Sequence, residues 1–127
     1  MRSFFISLFC LLLIVATWTT YSAYSDKKIH EFIGTIEEDI LIDIEDGNWE
    51  QAQNKFDDLE NNWHNYKKSA CFFFSTDKLN ETDYSVARAK YFIKCKDDSN
   101  ASGELSCLKE QLKFLHENES ISLANLL

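Results

Sequence analysis

The sequence predicts an all-α protein: an N-terminal transmembrane helix followed by a small bundle of about four helices, arranged as two αα-hairpins. Three observations carry this expectation. The 127 residues include no proline and only three glycines, so long helices are easy and tight β-turns are scarce. Apolar residues recur at steps of three and four along most of the chain. Charge is divided unevenly: residues 1–25 carry Arg2 and no acid, whereas residues 26–127 carry all 21 acids against 12 Lys and Arg, a net of −9. The chain therefore reads as an apolar anchor, 1–25, and an acidic helical-hairpin domain, 26–127.

The anchor comes first. "FFISLFCLLLIVATW" runs from Phe4 to Trp18 without a charge. Extended to Tyr24, it approaches the roughly 20 residues a helix needs to cross a bilayer. Trp18, Tyr21 and Tyr24 then fall where an aromatic belt lies at the far interface. A cleaved signal peptide is the rival, because the strongly apolar core is short. Cleavage requires small residues in an A-x-A-like motif, and "YSA" (Tyr21–Ala23) puts a bulky Tyr there. The sequence favours an uncleaved, single-pass anchor in the cell membrane, with membrane lipid as its partner. Arg2 and the α-amine pull the N-terminus to the cytoplasmic side, and Lys27 and Lys28 pull the other way. The balance places 26–127 outside the cytoplasm.

In the next stretch, Ile29, Ile33, Ile36, Ile40 and Ile44 are spaced four, three, four and four, a helical stripe. Nothing before Asp46 interrupts it except Gly34, so the membrane helix is expected to run straight into it. Asp46-Gly47-Asn48 is the first stop, with Gly suited to a C-cap and Asn to an N-cap. Trp49, Ala52, Phe56, Leu59, Trp63, Tyr66, Ala70 and Phe73 then alternate steps of three and four, an a/d seam that predicts a second helix ending near Ser75–Asp77. A third helix is expected from about Thr82 or Asp83 to Lys96. It has one apolar face of Val86, Ala89 and Ile93 and another of Tyr84, Ala87, Tyr91 and Cys95, as in a helix packed between neighbours. "DDSNASG" (Asp97–Gly103) reads as a turn, and Leu105, Leu108, Leu112 and Leu115 as a fourth helix. The leucines of "ESISLANLL" are expected to fold back over the bundle.

A shift of 49 residues superposes Ile44 on Ile93, Ala52 on Ala101, Phe56 on Leu105, Leu59 on Leu108, Trp63 on Leu112 and Tyr66 on Leu115. Every pair is apolar. Either one αα-hairpin occurs twice, because a lone hairpin cannot hide its seam, or two amphipathic hairpins align by pattern alone. Both lead to a four-helix arrangement. "GNWEQAQNKFDDL" also looks like the first helix of a tetratricopeptide hairpin, but a period of 49 departs from the about 34 residues of that repeat.

Several chemistries find no support. So acidic a domain repels phosphate backbones, which argues against nucleic acid as a partner. Cys10, Cys71, Cys95 and Cys107 form no C-x-x-C pair. One Cys95–Cys107 bridge stays open, against ordinary buried thiols as the default. The six carboxylates between Glu37 and Asp46 fail as an EF-hand loop, since Ile42 and Ile44 take ligand positions and Gln53 replaces the closing Glu. Glu60 and His64 share a helix face without a second His–carboxylate pair to complete a metal site. Neither G-x-S-x-G nor a phosphate-cradling loop occurs. No catalytic, cofactor-binding or metal-ligating residue is therefore expected, and no enzyme activity. The candidate structural or interaction residues are Trp49, Phe56 and Trp63 on the seam, and Arg88, whose guanidinium suits an interhelical pair with Glu60 or Asp57.

The layout resembles a bacterial domain-of-unknown-function family, number 4363, found largely in spore-forming Firmicutes. The resemblance runs end to end. It rests on the short N-terminal anchor, on "EDGNWEQAQNKFDDLENNW", "YSVARAKYFIKCKD" and "ELSCLKEQLKFL", and on the closing "SLANLL". It implies a small membrane-anchored helical protein and no catalytic residue. "CFFFS" (Cys71–Ser75) departs from the family pattern. The expected role is a membrane-anchored protein-interaction or scaffolding module, with another membrane protein or a second copy as partner. The alternative is a peptide- or small-ligand-binding domain in the manner of helical repeats.

Overall fold

The computed structural model describes the backbone of residues 1–126 and the side chains of residues 1–118. One unbroken rod, Arg2–Glu45, begins the chain. It comprises helix α1 (Arg2–Gly34), a π-helical stretch (Thr35–Ile40) and helix α2 (Leu41–Glu45). Helix α3 (Trp49–Ala70), helix α4 (Thr76–Lys94) and helix α5 (Asp98–Leu126) follow. The rod packs on α3 and α5, α3 on α4, and α4 on α5, closing a four-helix ring in which short turns make neighbours antiparallel. The all-α architecture is as expected, including the continuous first helix. The N-terminal helix is long and apolar enough to cross a membrane, and its first 17 residues are exposed.

The core is the predicted seam. Ala52, Phe56, Leu59, Trp63, Tyr66 and Ala70 of α3 are buried, as are Leu105, Leu108, Leu112 and Leu115 of α5. From the rod come Ile29, Phe32, Ile36, Ile40 and Ile44. Three successive steps of four overshoot an α-helical turn by about 40° each. The π-helical turn, which holds one residue more, returns these side chains to one line. Ile33, read as part of the stripe, is only partly buried, and Phe32 takes its place in the core.

The 49-residue echo extends to the backbone. At the first apex, Gly47 N–H donates to Ile44 C=O (3.1 Å) and Asn48 N–H to Asp43 C=O (2.7 Å). At the second, Lys96 N–H donates to Ile93 C=O (3.1 Å) and Asp97 N–H to Phe92 C=O (3.0 Å). Both are Schellman caps, with Gly47 (φ 76°) and Lys96 (φ 54°) in the left-handed position. All six superposed apolar pairs are buried. Upstream of the π-helical turn the matching shift becomes 50, placing Ile29 on Leu79 and Phe32 on Thr82, again all buried. The extra residue of the π turn accounts for the difference.

Three boundaries differ from expectation. Helix α4 begins at Thr76, not near Thr82: "TDKLNE" looks like loop, but Leu79 enters the core in register with Val86 and Ile93. Thr82 fits inside because its hydroxyl donates to Lys78 C=O (3.0 Å). Helix α5 begins at Asp98 rather than after Gly103, because Ala101 is a core position and Asp97 caps the helix. Helix α3 stops at Ala70, several residues early, and Phe73 leaves the seam. The α5 backbone continues through the closing segment as helix; the leucines there lie outside the described side chains.

Candidate functional site

The turn between α3 and α4 is built against α1. Phe73 stacks on Tyr21 at 3.8 Å between ring centroids and meets Trp18 edge-on at 5.2 Å. One turn further up, Ser25 Oγ and Tyr66 Oη, both buried, share a hydrogen bond of 2.5 Å. Packing between rod and bundle thus starts at Trp18, so the boundary drawn after residue 25 falls inside a packed layer. Phe74 leans on the core, and Phe72 points away from it, 83% exposed.

The second feature is the outer face of α4. Its inner face, including Val86, Ala89 and Ile93, fills the core as expected. The other apolar face, expected to meet a neighbour, is exposed among the described residues. Tyr84 and Tyr91 are each 63% exposed, and Ala87 and Cys95 are exposed between and beyond them. A hydrogen bond with Cys95 holds the Tyr91 phenol above its ordinary pKa.

Charged pairs lace the seams between helices. Lys90 Nζ meets Glu60 at 2.6 Å and Asp57 at 3.6 Å. Above all, the hydrogen bond that Lys90 donates to Glu60 holds its pKa above the ordinary value. Lys55 bonds the buried Asp43 at 2.7 Å and is likewise raised. Trp63 donates its indole N–H to Asp83 (2.6 Å), which also takes Lys67. Lys109 reaches Glu37 at 3.1 Å across the π-helical turn. Near the base, His116 pairs with Asp26, and the His30 ring lies 5.3 Å from His116. Among the described residues, no three His, Cys, Asp or Glu side chains converge as metal ligands would.

The four candidate residues are distributed through the bundle. Phe56 and Trp63 lie in the core, each 1% exposed, and Trp49 packs partly buried against it. Arg88 does not reach Glu60 or Asp57. Two residues from Lys90, it faces round the helix toward α5, where its Nε binds Glu104 at 3.0 Å. The cysteines are free and exposed rather than buried. Cys95 sits at the apex and Cys107 nine residues down α5, about 14 Å along the axis, which rules out the bridge. Sequence reading picked out the "CFFFS" turn without telling Phe72 from Phe73 and Phe74, and it expected the outer face of α4 to be packed against a neighbour. An alternating apolar pattern gives no sign of which face meets a neighbour.

The comparison with known families bears on the whole packed region. A family model described as a domain of unknown function (DUF4363) matches residues 17–126. The chain belongs to this family. The DUF4363 match opens at the level of Trp18, where packing begins, and leaves out the apolar residues 1–16, so it does not run end to end. Within DUF4363, the aromatic turn, the exposed face of α4 and both caps fall inside the matched region. No curated protein and no solved structure matches the chain.

Proposed function

We propose that this chain is a membrane-anchored interaction module that acts by contact rather than by chemistry, with the outer face of α4 as its contact surface. The observation that carries the reading is the stripe Tyr84, Ala87, Tyr91 and Cys95, exposed on a helix whose opposite face is core. Tyr is favoured at protein interfaces because it couples a large apolar ring to a polar tip. The partner is another protein of the same membrane or a second copy. Arg2 at the short end of the anchor favours a cytoplasmic N-terminus, which sets the bundle on the extracytoplasmic side.

The test places a photo-reactive phenylalanine at Tyr84 or Tyr91 of the full-length chain in its native membrane. One discrete adduct is expected at both sites, abolished by Ala87→Glu. An adduct of two 14.8 kDa chains identifies a homo-oligomer. Absence of an adduct, or a smear unaffected by Ala87→Glu, removes the reading. The ligand-binding alternative would use the groove of about 300 Å³ between α4 and α5, lined by residues including Lys78, Cys107, Gln111 and Phe114. Trp63, buried in the core, is not available to it.

A further inference from the structure

The turn Cys71–Ser75 combines an unusual composition with a fixed height on the rod. Three phenylalanines in succession cross a surface turn, and they do three different things. Phe74 packs on the core and Phe73 pins the turn to Trp18 and Tyr21. Phe72 is 83% exposed, more than Phe4, Phe5 or Phe9 of the apolar run at 66%, 64% and 62%. A phenylalanine left in water forgoes the favourable free energy of burying its ring. Phe73 fixes where Phe72 stands: beside Trp18 and Tyr21, where the strongly apolar run of α1 ends and its interface-type aromatics begin.

Charge agrees with this placement. No acid occurs between Glu60 and Asp77, in a domain whose net charge is −9, and the stretch carries Lys67 and Lys68. Lys68 is exposed one helical turn before Phe72. Residues 61–76, the second half of α3 and the turn, thus carry two lysines and no acid, a charge that an anionic lipid surface attracts rather than repels.

We propose that the α3–α4 turn is a second membrane contact, with Phe72 inserted at the headgroup–acyl boundary of the bilayer that α1 crosses. The proposal rests on the membrane reading of α1. The occupant of the exposed ring is lipid, because the turn is continuous with the segment built to lie in lipid. Two attachments, a spanning helix and an inserted ring, hold the bundle upright and keep the outer face of α4 clear of the membrane.

The experiment uses the full-length chain, with native cysteines changed to Ser, in vesicles of mixed zwitterionic and anionic phospholipid. An environment-sensitive fluorophore is attached in turn to Leu12→Cys, Phe72→Cys, Ser75→Cys and Tyr91→Cys. Lipids bearing a nitroxide high on the acyl chain report contact. Expected is loss of most of the emission at positions 12, 72 and 75 and none at 91, with the loss at 75 abolished by Phe72→Asp. Quenching at 12 without quenching at 72 overturns the proposal and leaves the anchor standing. No quenching at 12 overturns the membrane reading as well. Quenching at all four positions, or quenching at 75 that survives Phe72→Asp, overturns the proposal, because the bundle then lies in lipid without a defined base.

Discussion

Lys96 and Gly47 occupy the same left-handed position in two copies of one turn, at φ 54° and 76°. Glycine adopts that conformation freely, whereas a residue with a Cβ loses about 1–2 kcal/mol there. Part of the difference returns through glycine's larger unfolded-state entropy. Lys96→Gly is therefore expected to stabilise the protein by about 0.5–1 kcal/mol. Gly47→Ala is expected to cost about 1 kcal/mol, a pure backbone effect because nothing lies within 4 Å of the added Cβ. Denaturant midpoints at unchanged slope read both, and two changes of the same sign would break the equivalence of the turns. Asp97, next along, accepts from the side-chain amide of Asn100 (2.7 Å) and from its backbone N–H (3.2 Å), the N-cap bond. These hydrogen bonds, the side-chain one first, lower the Asp97 pKa from 3.8. A lowered folded pKa contributes stability that is complete above the unfolded value and lost as pH falls through the folded one. Asp97→Asn keeps the cap and drops the charge, so its Tm should lie below wild type at neutral pH and converge with it in acid. Gly47 was legible from sequence as a C-cap. Lys96 was not, since a lysine carries no mark of left-handed backbone and only the 49-residue register points to it.

The π-helical turn explains how two hairpins of unequal length build one symmetric core. It holds one residue more than an α-helical turn, and the matching register moves from 50 to 49 across it. Deleting Glu38, an exposed residue of that turn, should turn it into regular α-helix and leave both flanks facing the core. Deleting Asn61, exposed in the middle of α3, should rotate everything after it by about 100° and lift Trp63 and Tyr66 out of the core. Thermal melts should place the first variant within a few degrees of wild type and show the second without a cooperative transition. Equal damage from both would mean that the π turn is required in itself. The helices were legible wherever large apolar side chains kept the period, as in α3. They were misread where a polar stretch holds a single buried apolar residue: Leu79 in the first turns of α4, and Ala101 in the first turns of α5. One apolar residue among polar and small ones shows no period, and such a stretch reads in sequence as a turn.

The bundle and the exposed apolar run share one helix, and the layer where they merge decides what can be cut away. Residues 1–17 are exposed throughout, whereas Trp18, Tyr21 and Ser25 all touch the α3–α4 end of the bundle. A fragment beginning at Trp18 keeps every one of these contacts and sheds most of the apolar run. One beginning at Lys27 loses the Ser25–Tyr66 bond, both ring contacts of Phe73 and the Asp26 partner of His116. A buried hydrogen bond contributes about 1 kcal/mol and an aromatic pair about 0.5–1.5. The shorter fragment should therefore be weaker by about 2–4 kcal/mol, a fall in Tm on the order of 10 °C or more for a domain of this size. The longer fragment should match the full-length bundle, melting cooperatively with the same ellipticity per helical residue. Circular dichroism melts of both fragments, against the full chain in mild detergent, make the comparison. Equal melting temperatures for the two fragments would mean that the aromatic layer serves the membrane surface alone and adds nothing to the fold. A fragment from Trp18 that fails to melt cooperatively would mean that the bundle depends on the apolar run 1–17 itself.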